Sequence, residues 1–405
     1  MSNAIATLIN ECIYKLHNND NNDFRLTLDC ISYELLAQTL PTPSESRIQL
    51  RVIIASECLS FPDALIQRIV TQYFDSFFRL FLLSKCGDER KYIINELNSE
   101  IYSISIRFPG YSSELFRGAS YLLRGERIKA FACYQNASRL AMPLHGLPRM
   151  YLGANSVRAD SNNDWLGCNE KLPAISESVP VPTISSNSGA IIVLSCDISY
   201  FCKFGQSSYE SIRSHSTDQP IPYHVIGEAH PVVPDVIYQD QNVYLCFEKY
   251  KYKNDRTYFA TARFYRALEF ICKTNMSLYI SDVDNIFIRE PELVLNLLAK
   301  SNVGLRFVNN SDWFPWWGPS AGSVYISNKP GGRHFANLLR QYISKRLVVN
   351  GRGNWWFDQL ALNEVSHYIC TAADKSYFIN LTDLVYHLSI ANNTQSVLNA
   401  KRIQS

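Results

Sequence analysis

The sequence predicts an all-α region followed by an α/β domain on a largely parallel sheet, and three observations lead there. Apolar residues recur at spacings of three and four through the first part of the chain. From Ala190 onward, β-branched runs alternate with helical patterns. One short apolar run, Ser277-Leu278-Tyr279-Ile280-Ser281, leads directly into Asp282-Val283-Asp284. At 405 residues the chain is long enough for two cores. The expected organisation is an all-α helical domain over 1–152, a linker or surface excursion over 153–189, and an α/β domain over 190–405.

In the first domain the helical period is plain in Ala64, Leu65, Ile69, Tyr73, Phe77 and Leu80. Prolines punctuate it: Leu40-Pro41-Thr42-Pro43-Ser44 is a break followed by an N-cap residue, and Phe61-Pro62-Asp63 opens a helix with an acidic first turn. Between Glu114 and Pro143, small and aromatic residues fall where two antiparallel helices must touch: Gly118, Tyr121, Gly125, Ala130, Tyr134 and Ala137. This segment resembles one tetratricopeptide repeat, with Pro143 one place late. A single repeat cannot bury its own faces, so the preceding helices would serve as neighbours or caps. Such a domain either binds a partner or acceptor, or simply packs as a helical region.

Ser, Asn, Asp and Pro dominate residues 153–189, which lack apolar periodicity. The α/β pattern then begins with the strand Ala190–Leu194, ending at Ser195-Cys196-Asp197, a helical stretch at Tyr209–Ser214, and a strand at Tyr223–Gly227. Tyr258–Cys272 reads as a helix with Arg263 and Arg266 off its apolar stripe. After the Asp-x-Asp strand come a helix at Pro291–Ala299, strands at Val303–Val308 and Ser323–Ile326, a long helix at Gly332–Arg346 and a helical segment at Gln359–Val365.

Asp282 and Asp284, two residues apart on an extended chain, share a face and can converge on one hard cation where the strand gives way to a loop. Open α/β sheets place ligands at the carboxyl ends of such strands. The plainer alternative is a pair of solvated strand-end aspartates.

The order of these elements resembles the GT-A glycosyltransferases over about Gly189–Ser389, closest to the glycogenin-like and bacterial lipooligosaccharide galactosyltransferase-like retaining family. The resemblance implies that Asp197-Ile198-Ser199-Tyr200 is the donor-nucleotide contact, with Ser199 in place of Asn. It makes Asp282 and Asp284 the metal pair, holding Mn2+ or Mg2+ against a donor diphosphate, and has Asp282 touch the donor as well. Arg263 matches an arginine near the donor; as a residue type it suits a phosphate or carboxylate, or a structural salt bridge. Pro319-Ser320-Ala321-Gly322 resembles the Asn-Ala-Gly segment that admits the sugar, with Ser320 in place of Asn. Phe357-Asp358-Gln359 resembles the Asp-Gln element, giving Asp358 sugar positioning and Gln359 a place near the anomeric carbon; the plainer reading of both is a helix N-terminus. His387 is the family's candidate third metal ligand, although the glycine and lysine that normally come after it are absent. Trp313, Trp316, Trp317, Trp355 and Trp356 either stack on a sugar or pack in a core.

The implied activity is transfer of a hexose from a nucleotide sugar, a uridine one, to a glycan or protein hydroxyl, with retention implied by the resemblance alone. Two other readings compete. Asp-Val-Asp-Asn after an apolar strand also opens the haloacid-dehalogenase-type phosphatases, but Ile286 stands where Thr is expected and no downstream Gly-Asp or Asp-Asp pair is present. The other is a non-catalytic helical-repeat interaction protein with a degenerate α/β domain.

Composition narrows the field further. Lys plus Arg at 39 against Asp plus Glu at 37 leaves a net charge of +2, with no footprint for nucleic acid. Eleven scattered cysteines without a C-x-x-C pair read as reduced thiols. No transmembrane segment is expected, because Phe77–Leu83 is interrupted by Arg79 and bounded by Asp75 and Lys85. Met1–Asn22 lacks a basic region ahead of an apolar one, so the expected location is cytoplasmic.

Overall fold

The computed structural model describes residues 87–141, 189–250, 255–307, 313–347, 356–372 and 377–382. To these it adds isolated positions between 66 and 84, short pieces within 153–169, and residues 184, 384 and 389–391. They form two compact units: Met1–Asp160 with Asp312–Phe314, and Ser161–Ser311 with Pro315–Ser405. No helix among the described residues is long and apolar enough to cross a membrane.

The first unit is helical, with α1 (Gly87–Arg107), α2 (Tyr111–Leu123) and α3 (Arg127–Ala141). Helices α2 and α3 make the expected hairpin. Gly125 sits in the turn at φ 78°, a conformation natural to glycine. At Gly118 a Cβ would lie 2.5 Å from the Tyr134 ring, so the glycine lets the two helices approach. Ala130, Tyr134 and Ala137 are fully buried along the seam. Trp313 belongs to this unit, where its ring meets Phe78 and Phe81 edge-on at centroid distances of 5.1 and 5.5 Å. It is a core residue, not a sugar platform. In the second unit Trp316 and Trp317, on a 3-10 turn at Pro315–Trp317, are buried too. Trp355 and His387 lie outside the described residues.

The second unit is α/β. A seven-stranded sheet runs in the order β3-β2-β1-β4-β7-β6-β8, formed by β1 (Ala190–Asp197), β2 (Ile221–Gly227), β3 (Val243–Lys249), β4 (Ser277–Ser281), β6 (Val303–Phe307), β7 (Pro319–Ile326) and β8 (Phe378–Asn380). Strands β1 to β4 are mutually parallel, and β7 runs antiparallel to both β4 and β6. A two-stranded sheet pairs β5 (Asn285–Phe287) with β9 (Ser389–Ala391). The helices are α4 (Ile198–Arg213), α5 (Asp235–Tyr238), α6 (Arg256–Thr274), α7 (Pro291–Leu298), α8 (Pro330–Arg346) and α9 (Phe357–Ala372).

Alternation along the strands builds a core on each face. Ile191 and Val193 of β1, with Leu278 and Ile280 of β4, join residues of α6, α8 and α9. Ile192, Leu194 and Tyr279 join Phe201 and Ile212 of α4 with Val294, Leu295 and Leu298 of α7 on the other face. The polar stretch 153–189 contributes more than a surface excursion. Trp165 and Ile184 enter the first of these cores, and Trp165 meets the rings of Tyr342 and Tyr368 edge-on. A lone tryptophan in a polar run carries no period, so the pattern of the sequence hides it.

Strand β3 is not apparent from the sequence pattern, and it carries Glu248, which is fully buried. Its carboxylate accepts from Arg266 Nε at 3.1 Å and from the Tyr258 hydroxyl, both on α6, and lies 3.0 Å from His224 Nε2 on β2. This clamp ties the edge of the sheet to α6, whose N-terminus is capped by Asp255 accepting from Tyr258 N at 3.0 Å. Burial by itself raises the Glu248 pKa. The hydrogen bond from His224, the charge of Arg266 and the Tyr258 hydroxyl overcome that and hold it at about 2, below the ordinary 4.5. A depressed carboxyl stabilises the fold above its unfolded value, and that contribution is lost as pH falls through the folded one. The thermal midpoint should therefore drop as pH falls from 4.5 towards about 2. Glu248→Gln should be less stable at pH 7 and show a flatter acid limb in the same scan. An unchanged slope in that variant would place the acid sensitivity elsewhere.

Candidate active site

Strand β1 pairs with β4 as far as Leu194 and Ser281, then continues through Ser195, Cys196 and Asp197 beside β2 alone. The chain order reverses between β1 and β4, and at such a switch point the carboxyl ends of parallel strands leave a crevice. Here it is a cavity of about 540 Å³. Its lining includes Asp197, Ser199, Tyr200, Arg263, Asp282, Asp284, Ser320, Asp358 and Gln359. These nine candidate residues thus meet in one place, although they come from β1, α4, α6, the β4–β5 turn, β7 and α9; His387 lies outside the described residues.

Each local element has a visible cause. Asp197 is the N-cap of α4: its Oδ1 accepts from Tyr200 N at 3.0 Å and from the Ser199 hydroxyl at 2.5 Å. Tyr200 is 48% exposed, with its ring 5.3 Å from that of Phe204. Asp282 comes directly after the last residue of β4, on the face turned to α6. The turn carrying the two aspartates is pinned by Asn285, whose N–H bonds Asp282 O at 3.1 Å and whose Nδ2 reaches Ser281 Oγ at 2.8 Å and Gly322 O at 3.0 Å. At Gly322, a Cβ would lie 2.7 Å from Asp282 Oδ2. The small residue expected to admit a sugar also makes room for a carboxylate. Trp356, just before α9, holds φ at 70°, a left-handed conformation that strains a bulky residue and persists only where the surroundings impose it.

Arg263 organises the charge. It is 4% exposed, its Nη1 donates to Asp282 Oδ1, and its Nη2 lies 3.5 Å from Asp358 Oδ2. Of the uses open to it, the carboxylate contact is the one the fold makes, and it joins the Asp-x-Asp turn to the start of α9. Asp358 also accepts from Gln359 N at 2.9 Å, so its helix-terminal and cavity positions coexist. Burial pushes the Asp358 carboxyl up against the pull of Arg263. Asp284 is raised as well, first by burial and then by the neighbouring charge of Asp282.

The donor chemistry fits a hard divalent cation. Asp282 and Asp284 are oxygen donors that repel each other, and among the described residues the cavity sets Asp197, Asp282, Asp284 and Asp358 against Arg256 and Arg263. Among the described residues no group of three His, Cys, Asp or Glu side chains surrounds one point. Any further ligand would come from outside this pair. The roles of Asn285 and of Gly322 as a steric neighbour of Asp282 were missed by sequence reasoning; the Asn directly after the aspartates was the available signal.

No family model matches the chain, and no curated protein does. Among solved structures it is similar to the apo form of the glycosyltransferase GlyE of Streptococcus pneumoniae TIGR4, at 20% identity and a TM-score of 0.31, over 44% of this chain and 43% of that one. It is also similar to the apo WbbM bifunctional glycosyltransferase, at 14% identity and a TM-score of 0.31, over 47% and 40%. A third match is apo mouse xyloside xylosyltransferase 1, at 10% identity and a TM-score of 0.31, over 47% and 84%. The chain spans less than half the length of the GlyE and WbbM chains.

Replacing Gly322 by alanine should destabilise the protein by about 1–3 kcal/mol, the range for overpacking. Measured in an Asp282→Ala background, the same substitution should cost much less, because the clash is with its carboxylate. Urea denaturation of the single and double variants measures the coupling, and strict additivity would show that the two residues do not compete for space.

Proposed function

We propose that this chain is a metal-dependent glycosyltransferase of GT-A type, moving a hexose from a nucleotide sugar, a uridine one, to a hydroxyl of a glycan or protein. The observation that carries this reading is the convergence of Asp282 and Asp284 with Arg263 and Asp358 in a cavity at the β1/β4 switch point. An acidic cavity of this kind suits a donor that arrives with a cation and leaves negative charge on phosphate oxygens. The alternatives fit less well. A phosphatase nucleophile would be Asp282, whose Oδ1 is already held by Arg263, and a purely structural domain has no use for a partly buried, like-charged pair such as Asp282 and Asp284.

In this reading Asp282 and Asp284 hold Mn2+ or Mg2+, and the cation supplies charge stabilisation for the departing nucleoside diphosphate. Arg263 fixes the orientation of Asp282, so the carboxylate is held at the cavity without a rotamer search on binding. Tyr200, with an exposed ring, flanks the donor nucleotide beside Asp197 and Ser199. Ser320 and Gly322 leave space for the sugar, while Asp358 and Gln359 face it from the start of α9. Helices of the tetratricopeptide-like type would select the acceptor.

Thermal denaturation with manganese and uridine diphosphate tests the reading. At about 100 times its dissociation constant a ligand adds roughly 2.7 kcal/mol. The wild type should shift with both present, and hydrolysis of a uridine diphosphate hexose should depend on manganese. Asp284→Asn should abolish both effects with an unchanged circular dichroism spectrum. A wild type that shifts with no metal–nucleotide pair would remove the transferase reading in favour of a non-catalytic domain.

A further inference from the structure

Ser195, His224 and Glu248 stand on neighbouring strands β1, β2 and β3, all turned towards α6. Ser195 Oγ lies 3.0 Å from His224 Nδ1, and His224 Nε2 lies 3.0 Å from Glu248 Oε2. His224 and Glu248 are completely buried and Ser195 is 5% exposed, yet Ser195 lines the cavity. One end of this chain of hydrogen bonds is therefore sealed in the core and the other opens on the candidate active site.

The proton positions along it are set by what each group is able to do. An ionised glutamate only accepts, so His224 donates from Nε2. A second proton on Nδ1 would make an imidazolium of a completely buried ring. Arg266 contacts Glu248 and Glu269, and Arg340 Nη1 lies 3.8 Å from Glu269, so two guanidinium groups already balance two carboxylates. An added positive charge would be buried uncompensated. His224 is thus neutral, with Nδ1 an acceptor, and the Ser195 hydroxyl is the donor that meets it. A serine has one proton to give. Once it goes to Nδ1, Oγ has only lone pairs left to offer.

We infer that Ser195 is a ligand-contacting, specificity-determining hydrogen-bond acceptor of the cavity, held in that polarity by His224 and Glu248 acting as positioning residues. An unassisted serine rotates its hydroxyl to suit either a donor or an acceptor; this one takes only a ligand N–H or O–H. The contact to ligand rests on the cavity being a nucleotide-sugar site, whereas the polarity of Ser195 does not.

Two measurements on the full-length protein test the inference separately. Ring nitrogen-15 shifts of His224 should show a protonated Nε2 and a bare Nδ1, in the wild type and in Ser195→Ala alike. An Nδ1–H tautomer or an imidazolium overturns the assignment of polarity, whatever the cavity binds. Titration with manganese and uridine diphosphate should give about tenfold weaker binding for Ser195→Ala, or about 1.4 kcal/mol, with an unchanged circular dichroism spectrum and a thermal midpoint lowered by the unpaired His224 Nδ1. Wild-type affinity in that variant overturns the contact. If the wild type itself binds neither manganese nor uridine diphosphate, the contact falls with the proposed function, and the tautomer still decides the polarity.

Discussion

The candidate site depends on one guanidinium group. Arg263 stands between Asp282 at the end of β4 and Asp358 at the start of α9, and these two carboxylates share the cavity with Asp197 and Asp284. Like charges about 4 Å apart in a protein interior repel by roughly 4 kcal/mol at an effective dielectric of 20. A site that gathers so many carboxylates holds its shape only around a cation of its own. Arg263 is permanently charged and planar, so it bridges two partners where a lysine would act as a point charge. Burial raises both Asp284 and Asp358, and the charge of Asp282 raises them further.

Arg263 in turn depends on the placement of α6. That helix is capped by Asp255 and ends at Asn275 in the left-handed conformation. Through Tyr258 and Arg266 it grips Glu248 on β3. The same carboxylate orders His224 and, through it, Ser195, so a single buried glutamate touches both the helix that carries Arg263 and the hydroxyl that faces the cavity. Functional side chains carried on clamped helices and strands are held more tightly than those carried on loops. The turn bearing Asp282 and Asp284 is the exception, and Asn285 with Gly322 restrains it from either side.

Much of this was legible in the chain. Helix and strand positions arise from local periodicity, and the hairpin of α2 and α3 was readable from Gly118, Gly125, Ala130 and Ala137, because close helix contacts need small residues at fixed spacings. Asp282 and Asp284 were legible as a strand-end pair, whereas Asp197, Ser199, Tyr200, Arg263, Ser320, Asp358 and Gln359 were reached only through the family resemblance. Less readable were residues whose meaning comes from the far side of the fold. The tryptophans near Pro315 read equally as sugar platforms or as core, and burial decided for core. Trp165 sat in a polar stretch and proved to be a core residue. Gly322 looked like space for a ligand, and also turned out to be space for Asp282.

By itself the sequence determined the class and order of most elements, β3 excepted, and the carboxylate pair at the end of β4, because those properties are set by neighbours along the chain. Only the tertiary structure decided which charges meet. Whether Arg263 faces solvent, phosphate or Asp358, and whether Ser195 ends a relay or a plain strand, depends on the strand order β3-β2-β1-β4 and on the face of the sheet that α6 covers. Electrostatic interactions fall off with distance through space, and distance through space is what a linear pattern does not contain.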